Sequence, residues 1–180
     1  MNKEISILAF GASSSRKSIN KKFAGFAAGR IQNSKVKLLD LNDFEMPIYS
    51  IDKENKNGFP ELAINFKQHI KDCDAIIISF AEHNGAYTAA FKNIFDWISR
   101  IEKDVWANKP MLLLSTSDGA RGASTVLELA TTKFKRMNKN SIFSFSLPSF
   151  NINFKDDKGI VDVELAHRFD DILDLFSKAL

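Results

Sequence analysis

One cysteine among 180 residues makes an internal disulfide impossible. Cys73 is expected to be a small, buried, apolar residue at a helix end. Histidine is scarce too. The three, His69, His83 and His167, are too far apart for ligand spacing, so no metal site is expected. Neither charge sign is in real excess: 25 basic residues against 22 acidic leave +3. That excludes the strongly basic footprint of a nucleic-acid binder. It also argues against an acidic electron carrier that docks on basic partners. No apolar run approaches the ~20 residues of a membrane span. The opening "MNKEISILAF" is too short and too quickly interrupted for a secretory signal. A cytoplasmic protein that engages no membrane is the expectation. Two phosphate-binding signatures are missing as well, the Gly-Lys-Ser/Thr of a Walker loop and the GxGxxG of dinucleotide folds.

What the chain does contain is a repeating alternation. Short apolar runs stand at 5–10 (ISILAF), 75–80 (AIIISF), 111–116 (MLLLST) and 142–147 (IFSFSL), with a weaker one at 36–41. The second and third are apolar at consecutive positions, as in strands buried on both faces of a parallel sheet. Between them run helical stripes, such as Phe91, Ile94, Phe95, Ile98 and Ile101, or Leu165, Phe169, Ile172, Leu173 and Phe176. The polar stretch 50–61 reads as a mobile connection, and 133–140 as the solvated end of a helix. Five β-α steps with right-handed crossovers predict an α/β three-layer sandwich. Its five-stranded parallel sheet would follow the flavodoxin-like order 2-1-3-4-5, with helices on both faces, in one domain spanning 1–180. Ligands of such sheets bind beyond the carboxyl ends of the strands near the switch point.

Three loops fall there. The first, "GASSSRKSIN" (11–20), offers hydroxyls from Ser13, Ser14, Ser15 and Ser18, the forked cation of Arg16 and the opening N–H groups of a helix. Capping needs one serine; four with an arginine suit a phosphate monoester. The second, "AEHNGAY" (81–87), holds Ala81, Glu82, His83, Asn84 and Gly85. Asn-Gly there serves either a turn of the required backbone shape or a surface of exposed N–H groups, with His83 able to lie against a flat ring. The third, "STSDGARGAS" (115–124), carries Ser117, Gly119 and Arg121, with glycines that permit close backbone approach. One phosphate loop and two flanking loops suit a mononucleotide, with flavin mononucleotide as the natural candidate.

These motifs resemble the NADPH-dependent FMN reductase family. Its members carry Gly-Ser-x-Arg-x-x-Ser-x-Asn after the first strand. Pro-Glu-Tyr-Asn-Gly-Ser and Leu-Lys-Asn-x-x-Asp-Trp follow the third, and a glycine-rich Ser-x-Gly-Gly-Arg-Gly-Gly the fourth. Here Ser13, Ser18 and Asn20 match the first motif, with Ser15 at the usual arginine position and Arg16 one residue later. Glu82, Asn84 and Gly85 match the second, while Ala81 and His83 replace proline and tyrosine. Lys92, Asn93, Asp96 and Trp97 match the helix motif. Ser117, Gly119, Arg121 and Gly122 match the last. The resemblance implies bound FMN and NADPH or NADH as co-substrate. Hydride would pass to the flavin and then to a quinone, azo compound, free flavin or metal oxyanion. No catalytic side chain is implied, because the flavin carries the chemistry. It implies a homodimer or homotetramer, with the helix bearing Trp97 as candidate interface. A flavodoxin-type electron carrier and an FMN-binding scaffold without turnover are the competing readings.

Overall fold

The computed structural model describes residues 4–180. In chain order the elements are β1 (Ile5–Ala12), α1 (Ile19–Gly29), β2 (Ser34–Leu39), α2 (Ile51–Asn57), α3 (Glu61–Asp72) and β3 (Ala75–Phe80). A hairpin of β4 (Glu82–His83) and β5 (Ala86–Tyr87) follows, then α4 (Ala89–Ile101), β6 (Met111–Thr116), α5 (Ser124–Met137) and β7 (Ile142–Leu147). Last come α6 (Phe150–Asn153), a second hairpin of β8 (Phe154–Lys155) and β9 (Gly159–Ile160), and α7 (Val163–Ser177). Five strands pair in parallel in the order β2-β1-β3-β6-β7, which is 2-1-3-4-5 when only the sheet strands are counted. The expected flavodoxin-like sandwich is what forms.

Period-2 side-chain alternation builds two cores from one sheet. Leu8, Phe10, Ile76, Ile78 and Leu113 face α3, α4 and α5, while Ile7, Ala9, Ile77, Leu112 and Leu114 face α1 and α7. The central strands β3 and β6 are buried along their whole length. The edge strand β2 is largely exposed and carries Lys35 and Lys37, charges that discourage pairing with another chain. Cys73 caps α3 and is buried, as expected; burial pushes its thiol up to about 11. No helix among the described residues is long and apolar enough to cross a membrane.

The structure corrects two expectations and places Trp97. The stretch 50–61 is not a mobile connection: Ser50 Oγ accepts from Lys53 N–H and starts helix α2, which Gly58 ends in the left-handed region. The chain is not a bare β-α repeat, because a hairpin interrupts it after β3. Trp97, on the helix named as candidate interface, is itself packed within its own chain. It is 1% exposed, and its Nε1 donates to the Pro47 carbonyl at 2.8 Å. Asn93 assists it, accepting from Tyr49 N–H and donating to the Met46 carbonyl. The matched helix motif therefore anchors the chain that follows β2.

Candidate functional site

The first loop leaves β1 at Gly11, which only glycine can fill. A Cβ there would lie 2.4 Å from the Lys21 backbone nitrogen, where α1 crosses the strand end. Ser18 caps α1 by accepting from Lys21 N–H. Ser13 Oγ accepts from Ser15 N–H at 3.1 Å and holds the loop in a tight turn. Asn20 is 3% exposed, and its amide makes three hydrogen bonds inside the protein. Nδ2 donates to the Thr116 carbonyl, and Oδ1 accepts from Thr116 N–H and from Ser79 Oγ. Asn20 thus ties the phosphate-type loop to β3 and β6, and it also lines the cleft between the loops.

The second loop is a two-residue hairpin. Glu82 pairs with Tyr87 and His83 with Ala86, leaving Asn84 and Gly85 as the turn. Both have positive φ, 53° and 75°, as a type I′ turn requires. Asn-Gly therefore supplies the backbone shape that the turn needs, and the tip is exposed. Thr88 ends the hairpin. Its hydroxyl donates to the Ala12 carbonyl at 3.0 Å and accepts from Phe91 N–H, capping α4 while bonding to the end of β1. Burial among Phe80, Phe91 and Phe95 pushes the Tyr87 hydroxyl up to about 12.

The third loop is held from outside. Ser115 Oγ and Ser146 Oγ both donate to the Gly122 carbonyl, at 2.8 and 2.9 Å. Ser149 N–H and Phe150 N–H donate to the carbonyls of Gly119 and Ser117. Gly122 sits at φ 57°, and a Cβ there would meet Ser146 Oγ at 2.5 Å. Segment 148–153 was not read as part of this region from sequence; it carries no local motif, only position.

The three loops enclose a cleft of about 340 Å³, within the ~300–1,000 Å³ of small-molecule sites. From the first loop and the start of α1 it is lined by Ser13, Ser15, Lys17, Ser18, Ile19 and Asn20, and from the other two loops by Ala81, Glu82, His83 and Ser117. Thr116 and Asp118 complete the floor. Lys17, Thr116 and Asp118 were missed from sequence. Arg16 does not line this cleft; it lines an outer one with Lys21, Lys22 and Leu38, which Lys17 and Ser18 also border. Gly119 and Arg121 lie outside it too, and Arg121 is exposed. A larger cleft of about 410 Å³ opens on the other side of Ser14, against Met46, Ile48 and Ala89. Its only charged group is Glu45, so it cannot compensate a phosphate.

Hydroxyls, one cation and the opening N–H groups of α1 form an all-donor end suited to a phosphate. The opposite end mixes donors and acceptors, as a heteroaromatic ring requires. The residues present therefore fit FMN. A model of the NADPH-dependent FMN reductase family matches residues 5–150. The chain belongs to that family. Membership of the NADPH-dependent FMN reductases implies FMN and NAD(P)H. The chain is 40% identical over 80 residues to a 2-hydroxy-1,4-benzoquinone reductase of a Burkholderia species. That match covers 44% of this chain and 43% of the Burkholderia protein, less than half the length of either. An uncharacterized Mycoplasma pneumoniae protein, the MG342 homolog, is 30% identical over 158 residues, covering 83% of this chain and 91% of its own. Among solved structures, the FerB flavoenzyme NAD(P)H:(acceptor) oxidoreductase of Paracoccus denitrificans superposes with a TM-score of 0.72. It is 23% identical, over 97% of this chain and 96% of that one, a likeness of fold.

Proposed function

We propose that this protein is an NAD(P)H-dependent, FMN-containing oxidoreductase that reduces a small quinone-type acceptor. The observation that carries the reading is the convergence of the first loop, the β4–β5 hairpin and the third loop on one cleft with a single all-donor end. The quinone class draws support from relatives named as quinone reductases.

Ser13, Ser15, Ser18 and Lys17 would hold the phosphate against the start of α1, where the helix dipole favours negative charge. The hairpin and Ser117 would hold the ring, with His83 beside it. Bound FMN supplies the redox chemistry, taking a hydride from NAD(P)H and giving it to the acceptor. The chain's part is to fix the ring's position and to keep one face open, first to the nicotinamide and then to the acceptor. Thr88 and Gly122 hold their loops in place from outside the cleft, and Asn20 ties the first loop to the third while itself lining the cleft.

The test is reconstitution with FMN followed by anaerobic addition of NADPH or NADH. Loss of flavin absorbance, and sustained turnover on adding a benzoquinone, is the expected result. Failure to retain FMN sinks the reading. Retained FMN that neither dinucleotide bleaches points to a scaffold, and bleaching without turnover to a carrier.

A further inference from the structure

Helix α5 starts without a cap of its own. Its N-cap residue, Ala123, sits in the left-handed region (φ 59°, ψ 36°) and offers no capping side chain. The opening N–H groups of a helix have no intrahelical partner and favour a nearby negative charge. Here one of them is met from a distant part of the chain: Glu82 Oε2 accepts from Val126 N–H at 3.0 Å, across 44 residues. Glu82 is the first residue of the hairpin and pairs with Tyr87 at its base. Val126 follows directly on the third loop, whose other contacts, to Ser115, Ser146, Ser149 and Phe150, all come from β6 and the chain around β7.

From this geometry we propose that Glu82 is a positioning residue whose carboxylate, by capping α5, sets the separation of the two loops that flank the ring. The role rests on the flavin reading above and replaces direct cofactor contact by the Glu82 carboxylate. The phosphate end is held by other bonds, those of Ser13, Ser18 and Asn20. Loss of the carboxylate therefore loosens one end of the cleft and spares the other.

Two ligand fragments read the two ends separately: lumiflavin, a flavin ring without phosphate, and inorganic phosphate. Wild type is titrated with FMN and lumiflavin first; failure to bind either overturns the flavin reading, and the ring-positioning role with it. In Glu82→Ala, Val126 amide exchange measured without flavin should accelerate. Lumiflavin should bind roughly tenfold more weakly, and phosphate affinity should be unchanged. Glu82→Gln, which keeps an accepting oxygen, should restore ring binding to near the wild-type level. If Glu82→Ala does not fold, Glu82→Asp, one methylene shorter, carries the same expectation. Unchanged Val126 protection overturns the cap. Faster exchange with unchanged lumiflavin affinity reduces Glu82 to a local helix cap. A parallel loss of lumiflavin and phosphate binding marks general destabilisation and also overturns the proposal.

Discussion

Asn20 holds Thr116 from both sides. The side-chain amide donates to the Thr116 carbonyl and accepts from its N–H, each at 3.1 Å, copying the paired bonds of an antiparallel ladder. It also accepts from Ser79 Oγ at 2.7 Å, so the start of α1 is bonded to two strands at their carboxyl ends. Replacing Asn20 by Ala strands three buried polar groups. The expected cost is roughly 2–4 kcal/mol of stability, read as a lower midpoint in urea unfolding. A loss below about 0.5 kcal/mol would mean that water replaces the amide without penalty.

Lys17 lines both the central and the outer cleft, and Arg16 lines only the outer one. Lys17→Ala should weaken FMN binding by roughly tenfold or more, the worth of a charge-assisted hydrogen bond. Arg16→Ala should cost less than about threefold, because a cation outside the cleft acts mainly through a screened field. Fluorescence titration of both variants gives the order. The reverse order would return the phosphate to Arg16.

Ala123 holds a left-handed conformation that costs an L-residue about 1–2 kcal/mol. Glycine removes that strain and gives back part of it as unfolded-chain entropy. Ala123→Gly should therefore stabilise the protein by roughly 0.5–1 kcal/mol, seen as a raised Tm. A lowered Tm would show that the Ala123 methyl, which is buried, contributes more through packing.

Acid should release one tie beside α1. The hydrogen bond from the Lys21 ammonium, at 2.5 Å, together with that from Asn42 N–H, holds the Asp40 carboxyl down at about 2 against its ordinary 3.8. A depressed carboxyl stabilises the folded state above its unfolded value, and that contribution is lost as pH falls from 3.8 through about 2. The stability difference between wild type and Asp40→Asn should be constant above about pH 5 and shrink across that interval. A difference that stays flat down to the folded value would remove Asp40 from the acid response.

Local pattern by itself determined the parallel sheet, its two helical layers and the three loops at its carboxyl edge. Consecutive apolar residues in 75–80 and 111–116 dictate burial on both faces, and Asn84-Gly85 dictates a tight turn, because period and positive φ are short-range properties. Other features depend on residues far apart in the chain, so only the tertiary structure decided them. Lys67, which falls among polar neighbours in sequence, is 2% exposed and donates to the carbonyls of Asp104 and Val105. Lys17 lines the central cleft while Arg16 does not, and the Glu82 carboxylate bonds a helix 44 residues away. A side chain's partner is chosen by which backbone groups folding leaves unpaired beside it, and no local spacing encodes that.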